Sequence, residues 1–264
     1  MYDFAYQKPS SVGDAAKALG GDAEAKALAG GMTLIPVLKQ RLNKPSVVVD
    51  LAKLGLSGIT VSGNTVTIGA MTTHATVANS AEVKAKFPAL AGLAAHIGDE
   101  AVRHRGTIGG SLANNDPSAD YPAAVLATGA TVKTNKRSIA ADDFFAGMFT
   151  TALEQDEIIT AVEFPIPQKA GYEKFPNPAS RYAIVGVFVA QTANGVRVAV
   201  TGAGQDGVFR QKDMEQALSA NFSADAIANI KQPQNGLNGD IHASAEYRAH
   251  LIGVIARRAV AKAA

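Results

Sequence analysis

The chain contains no cysteine, and this absence excludes several kinds of chemistry at once. Disulfide bonds, thiol catalysis, cysteine-bound iron–sulfur clusters and thiolate zinc sites all need cysteine side chains. The 5 histidines are scattered and form no HxxxH or HExxH pair, so no metal site is predicted. Tryptophan is absent too, and aromatic stacking must come from tyrosine or phenylalanine. No side chain stands out as an acid–base or nucleophilic catalyst, so no catalytic residue is assigned.

Charge of one sign and long apolar runs are also missing. The 264 residues include 25 Lys and Arg and 23 Asp and Glu, interspersed, for a net charge of +2. The sequence contains no basic block of the kind that would predict a nucleic-acid partner. No window approaches the roughly 20 apolar residues of a membrane-spanning helix, and the N-terminus lacks the pattern of a signal peptide. We therefore expect a cytoplasmic protein without a membrane span.

Two glycine pairs lie between apolar segments, at residues 29–33 and 107–111. The first pair separates a short apolar run from a helical pattern, and the second precedes short polar side chains and two aspartates. Successive free N–H groups in such turns form an anion-binding concavity, and a helix N-terminus after a turn favours phosphate. Two such turns predict one ligand with two phosphates, a dinucleotide. The alternative is that each pair is an ordinary turn.

The order of patterns along the chain predicts two kinds of unit. Residues 1–56 read as β-α-β-α-β. A hairpin with a Gly63-Asn64 turn and several short helical patterns follow, up to a strand at 158–164. Residues 165–178 contain four prolines and are typical of a linker or crossing loop. Two strands and then three helical patterns, the last at 244–262, predict an α+β ending.

A G-x-G-x-x-G sequence at residues 202–207 follows an apolar strand, as in nicotinamide-binding folds. Only 57 residues come after it, too few for the rest of a doubly wound sheet. No apolar strand ending in Asp or Glu lies about 20 residues later, where the ribose contact is expected. The preceding strand also has the pattern of a hairpin partner. A nicotinamide-dependent oxidoreductase therefore stays open only as a lesser alternative.

Several motifs together resemble one family of flavoproteins. The segments Ala-Gly-Gly-Met-Thr-Leu-Ile-Pro (29–36), Ile-Gly-Ala-Met-Thr-Thr (68–73), Val-Arg-His-Arg-Gly-Thr-Ile-Gly-Gly-Ser-Leu-Ala-Asn (102–114) and Asp-Pro-Ser-Ala-Asp-Tyr-Pro-Ala (116–123) carry the likeness. They are similar to the FAD-binding (medium) subunits of the molybdenum hydroxylase, or xanthine dehydrogenase, family. The aerobic carbon monoxide dehydrogenases are nearest in appearance. Met32 departs from the polar residue, often His or Gln, found in such subunits.

The resemblance implies an α+β fold with FAD as its cofactor. Two small α/β subdomains, residues 1–56 and 57–167, would form an FAD-binding domain of the PCMH/VAO type. Residues 168–264 would form a C-terminal α+β domain with an antiparallel sheet and helices.

The resemblance also implies a set of cofactor-binding residues. They are Ala29, Gly30, Gly31, Met32, Thr33, Leu34, Thr107, Ile108, Gly109, Gly110, Ser111, Asn114, Asp116, Asp120, Ile158, Lys174 and Tyr182. Asp120 would accept a hydrogen bond from the cofactor or cap the helix that follows it. Tyr182 would lie against the flavin ring or belong to the core. We expect Arg103 and Arg105 to be solvated or to face a partner.

The function implied is electron transfer by a subunit without an iron–sulfur cluster of its own. Electrons would come from a [2Fe–2S] small subunit, fed by a molybdopterin large subunit, and would leave to an external acceptor. A dimer of heterotrimers is the expected assembly. The alternative is a free-standing FAD- or nucleotide-binding module without redox partners.

Overall fold

The computed structural model describes residues 1–263, which form three units, each built on one main sheet. The first unit comprises β1 (Ala5–Gln7), α1 (Val12–Gly20), β2 (Lys26–Leu28), α2 (Leu34–Lys39) and β3 (Val47–Asp50). Its strands are parallel in the order β1-β3-β2, as the β-α-β-α-β pattern predicts. Helix α1 begins after Ser11, whose hydroxyl accepts the Asp14 N–H at 3.1 Å.

The second unit has an antiparallel sheet and most of the helices. It comprises β4 (Ile59–Ser62), β5 (Thr65–Gly69), α3 (His74–Asn79), α4 (Ala81–Lys86), α5 (Pro88–Ala95), α6 (Glu100–Arg105), α7 (Ile108–Asn114), α8 (Tyr121–Thr128), β6 (Thr131–Thr134), β7 (Ser138–Ala140), α9 (Ala141–Phe144), β8 (Phe145–Gly147), β9 (Thr150–Thr151) and β10 (Ile159–Pro165). The sheet order is β4-β5-β10-β6-β7, and β8 pairs with β9 separately. The predicted hairpin is β4–β5, with Gly63 at a φ of 55° in its turn.

The third unit packs two helices on a four-stranded antiparallel sheet. It comprises β11 (Lys169–Pro176), β12 (Ala183–Thr192), β13 (Gly195–Thr201), β14 (Phe209–Arg210), α10 (Lys212–Ala220), a 3₁₀ turn (Asp225–Ile227) and α11 (Ala245–Lys262). The strands follow one another in sequence order across the sheet. One face carries α10 and α11 over a core of valines and isoleucines.

Helix α8 joins the second and third units. All eight of its residues are buried, as for a helix that is apolar on every side. Its apolar side chains share one core cluster with Phe164 of β10 and Phe188 of β12. Phe87 lies edge-on to both of these rings, with centroid distances of 6.2 and 6.1 Å. The second and third units are therefore packed through a continuous core.

The prediction of a linker at residues 165–178 is wrong, because β11 occupies most of that stretch. The four prolines lie before the strand, at its last residue or just after it, and β11 is an edge strand of its sheet. Proline has no N–H group to donate to a neighbouring strand, so in sheets it is tolerated at the ends of strands and on edge strands such as β11. The prolines therefore mark the two ends of this strand, and their density does not mean that a strand is absent.

Two further expectations about local structure need correction. Residues 107–111 do not form a turn, because Gly109 and Gly110 lie in the first turn of α7. The G-x-G-x-x-G sequence leads from β13 into the short antiparallel strand β14 and not into a helix. It therefore offers no helix N-terminus to a pyrophosphate, and the nicotinamide alternative loses its support.

The predicted α+β fold class is confirmed: a small parallel α/β unit precedes two units with antiparallel sheets. The domain limits at residues 56 and 167 stay a prediction. No helix within residues 1–263 is both long and apolar enough to cross a bilayer.

Candidate functional site

A cavity of about 570 Å³ opens between the first and second units and extends to the third. Its volume is in the range of small-molecule and cofactor sites. The first unit contributes β2 and the beginning of α2, and the second contributes α7 with the residues before and after it. The third contributes residues 180–182, from the loop between β11 and β12. The site thus depends on all three units.

The two glycine segments touch each other at the bottom of this cavity. A Cβ atom on Gly30 would lie 2.8 Å from the Gly106 Cα and closer still to the Arg105 carbonyl oxygen. A Cβ atom on Gly110 would lie 3.2 Å from that of Ala29. Glycine therefore lets the two backbones approach directly, before any ligand is considered.

The first glycine segment presents a run of free backbone donors. Within residues 1–263, no acceptor meets the backbone N–H groups of the five residues from Gly30 to Leu34. Gly31 has a φ of 77°, in the left-handed region, and α2 begins at Leu34. Successive N–H groups around such a residue form a concavity for anions, next to the positive end of a helix. This part of the dinucleotide prediction has the geometry that it needs.

The second glycine segment has no such run of free donors, because the N–H groups of residues 108–111 are all paired, so that detail of the prediction is wrong. The N–H of Ile108 bonds the Thr72 carbonyl at 3.1 Å, and that of Gly109 bonds the Ala70 carbonyl at 2.8 Å. The N–H of Gly110 bonds the Thr107 hydroxyl at 3.1 Å, as in a capped helix. Helix α7 offers the cavity the backbone surface of its glycines and the side chains of Ser111, Ala113 and Asn114.

All the predicted cofactor-binding residues line the cavity except Ile108 and Lys174. The Ile108 side chain is fully buried in the main core. The Lys174 ammonium lies behind the cavity wall, 3.0 Å from the carboxylate of Asp120. These two residues therefore support the wall without forming its surface.

Asp120 does not cap α8, because its side chain accepts no bond from that helix. It accepts instead from the Tyr172 hydroxyl and from Lys174. Burial raises the pKa of the Asp120 carboxyl, and the Lys174 ammonium opposes that shift. The neighbouring Asp116 accepts the Ser118 N–H at 2.9 Å, and burial raises the pKa of its carboxyl as well.

Tyr182 lies at the mouth of the cavity and not in the core, since it is 44% exposed. Partial burial and the carboxylates of Asp116 and Asp120 raise the pKa of its hydroxyl.

The expectation that Arg103 is solvated or faces a partner is wrong. Its guanidinium bonds the carbonyls of Ile97 and Gly98, at 3.0 and 3.1 Å, and so fixes the turn before α6. Arg105 is exposed, as expected.

Sequence reasoning missed two titratable residues in the cavity wall. His74 is 4% exposed, and burial lowers its pKa to about 4, so the imidazole is neutral at pH 7. Glu157 is held by the Arg137 guanidinium at 2.9 Å, and that contact lowers its pKa to about 2. Nothing in the local pattern marked either residue, because chain segments distant in sequence create both environments.

A mainly apolar cleft with a run of free backbone N–H groups defines a protein that binds a phosphate-containing cofactor. A family model described as "FAD binding domain in molybdopterin dehydrogenase" matches residues 2–167. The chain is 37% identical to the nicotine 6-hydroxylase medium subunit of Paenarthrobacter nicotinovorans, over 98% of this chain and 96% of that one. It is 34% identical to the carbon monoxide dehydrogenase medium chain of Hydrogenophaga pseudoflava, over 97% and 96%.

The fold comparison agrees. A carbon monoxide dehydrogenase structure from Oligotropha carboxidovorans superposes with a TM-score of 0.89 at 32% identity, covering 99% of this chain and 97% of that one. The chain belongs to the molybdopterin dehydrogenase FAD-binding family, as the sequence motifs predict. It is an FAD-binding oxidoreductase subunit of the medium type.

Proposed function

We propose that this chain receives electrons from a [2Fe–2S] small subunit and passes them through FAD to an external acceptor. A molybdopterin large subunit would oxidise the substrate, and the whole would be a dimer of heterotrimers. Relatives named medium subunits or medium chains of hydroxylases and dehydrogenases support this role. The chain has no cysteine, so a cysteine-bound cluster must lie on another subunit. A cytoplasmic location stays part of the proposal.

The single observation that carries the proposal is the run of free N–H groups from Gly30 to Leu34, at the wall of a cavity of cofactor size. We assign these groups to the diphosphate of FAD, because they supply donors and positive potential without a lysine. Ser111 and Asn114 of α7 supply polar side chains opposite them. Bound FAD supplies one- and two-electron transfer, and this chain supplies its binding and electrostatics.

The carboxylate of Asp120 has a defined task in this arrangement. It accepts from Tyr172 and Lys174, and a carboxylate has about four acceptor positions. At least one position therefore remains for a ligand hydroxyl or ring N–H. Lys174 and Tyr172 keep the carboxylate in place while that bond forms. Tyr182 lies at the mouth of the cavity near this carboxylate, where its ring would limit the access of water to the bound cofactor.

A cavity-filling variant tests the site. Ala113 is an exposed residue of α7 that lines the cavity, so Ala113→Trp places a large ring in the cleft without disturbing the core. We expect FAD affinity to fall at least about tenfold, or about 1.4 kcal/mol. The matched control is Ala101→Trp, at an exposed position of α6 that does not line the cavity. Affinity would be measured by FAD titration of the full chain.

Equal FAD affinity in Ala113→Trp and wild type, with both folded, would exclude this cavity as the site. The electron-transfer role needs a separate experiment, because binding alone also fits a free-standing module. Purification from the native host should yield a complex whose iron–sulfur centres reduce the bound FAD. A chain that purifies alone, and that no iron–sulfur protein reduces, would favour the free-standing module.

A further inference from the structure

The ammonium group of Lys174 has no donor left for a ligand. It donates to the His96 carbonyl at 2.8 Å, to the Asp120 carboxylate at 3.0 Å and to the Arg181 carbonyl at 3.0 Å. An ammonium has three N–H donors, so three acceptors saturate it. Its side chain is 5% exposed and does not line the cavity. A direct contact with FAD, as the sequence resemblance implies, would require Lys174 to abandon one of these bonds.

The three acceptors belong to chain segments that are far apart in sequence. His96 follows α5, Asp120 precedes α8, and Arg181 lies in the loop between β11 and β12. Lys174 itself is on β11, two residues after Tyr172, so both side chains point to the same face and reach the same carboxylate. The ammonium thus ties the loop of the third unit to the wall that the second unit contributes.

The tied loop, residues 177–182, holds its own shape through Asn177. The Asn177 side chain accepts the N–H groups of Ala179 and Ser180, at 2.9 and 3.1 Å. The Asn177 N–H bonds the Tyr182 carbonyl at 2.8 Å, which closes the loop. Arg181 has a φ of 63°, a left-handed conformation that costs an L-residue with a long side chain about 1 kcal/mol or more. Such a conformation persists only where the surroundings hold it.

We infer that Lys174 is a positioning residue, which fixes Tyr182 at the mouth of the cavity by holding the preceding carbonyl. Lys174 supplies the one bond from the Arg181 carbonyl to the rest of residues 1–263. The inference rests on the proposed function only in assigning the mouth to FAD. Lys174 holds the loop in the same way when no cofactor is bound.

The absence of tryptophan makes a sensitive test possible. Tyr182→Trp creates a protein with a single indole, whose fluorescence anisotropy and acrylamide quenching report the order and exposure of position 182. In this background we combine Asp120→Asn with Lys174→Met, so that no unpaired buried charge remains. We expect the anisotropy to fall. Quenching should rise by up to about twofold, the limit for a residue that goes from 44% exposed to fully exposed when its ring leaves the mouth.

The control is the pair Glu173→Gln and Lys262→Met, which removes an ion pair from the residue just before Lys174 on the same strand. It should leave the fluorescence anisotropy and quenching of the indole unchanged. If the neutralised variant fails to fold, Lys174→Arg replaces it. A planar guanidinium keeps the charge beside Asp120 but cannot direct one nitrogen at three acceptors.

Unchanged indole anisotropy and quenching in a folded variant at position 174 would overturn the inference. So would unchanged indole fluorescence with weakened FAD binding in Lys174→Arg, since that result indicates a direct contact with the cofactor. The fluorescence measurements use protein without FAD. A wild-type chain that binds no FAD would therefore refute the proposed function and leave the result on Lys174 intact.

Discussion

Gly30→Ala should destabilise the protein even when no cofactor is present. A Cβ at this position would lie within 2.8 Å of the Gly106 Cα, and nearer to the Arg105 carbonyl. Gly30 does not have a positive φ, so alanine meets no conformational penalty of its own there. The cost therefore comes from the contact between the two glycine segments. Both neighbours are backbone atoms and cannot move aside as a side chain would.

Overpacking of one carbon costs about 1 to 3 kcal/mol, and backbone neighbours place this site at the upper end. For a chain of this size, that loss corresponds to a fall in Tm of roughly 5 to 10 °C. Gly92→Ala is the matched control. Gly92 lies inside α5 with no atom within 4 Å of a Cβ, so alanine should stabilise by about 0.5 to 1 kcal/mol.

The assay is thermal and urea unfolding of the full chain without FAD, followed by FAD titration of each variant. The refuting result is a Gly30→Ala protein as stable as wild type that no longer binds FAD. That outcome would mean that the phosphates, and not the Arg105–Gly106 backbone, exclude a side chain at position 30. Loss of stability without cofactor supports the direct contact between segments.

Two predictions concern acid stability. The pKa of His74 is lowered from 6.5 to about 4 by burial, so the unfolded state binds this proton first as the pH falls. The free energy of unfolding should then decrease by about 3 kcal/mol as the pH falls from 6.5 to 4. His74→Leu should lack this decrease when the free energy of unfolding is measured by urea titration at several pH values in that range. Glu157 has its pKa lowered from 4.5 to about 2, so its contribution is complete above 4.5 and is lost as the pH falls towards 2. Glu157→Gln should therefore lower the free energy of unfolding by a constant amount above pH 4.5 and remove its pH dependence only between about 4.5 and 2. A changed pH slope near neutral pH would contradict the assignment.

Local patterns were sufficient for the elements whose partners lie nearby in sequence. The parallel unit followed from alternating helix and strand signals, and the β4–β5 hairpin from its Gly63-Asn64 turn. The first glycine segment was also predictable, because a strand, a glycine turn and a helix follow one another directly. In each case the deciding interactions span a few residues, so the sequence window contains them.

Elements defined by distant contacts were not predictable in the same way. Proline density at residues 165–178 suggested a linker, yet β11 pairs with β12 along its whole length. Helix α6 has no buried residue and hence no apolar face for periodicity to detect. The charged partners of Lys174 and Glu157, Asp120 and Arg137, lie more than a dozen positions away in sequence. A single-sequence pattern contains none of these contacts.

The two glycine pairs illustrate where pattern reasoning ends. Both were expected to present successive free N–H groups, and only the first does so. In the first, a left-handed Gly31 stands before the helix and leaves the donors unpaired. In the second, the Thr107 hydroxyl caps α7 by accepting the Gly110 N–H, and the carbonyl of Ala70, just after β5, accepts the Gly109 N–H, so the glycines serve close backbone packing. A glycine pair therefore indicates close approach, and the hydrogen-bond partners of its N–H groups decide whether the approach is to a phosphate or to the protein itself.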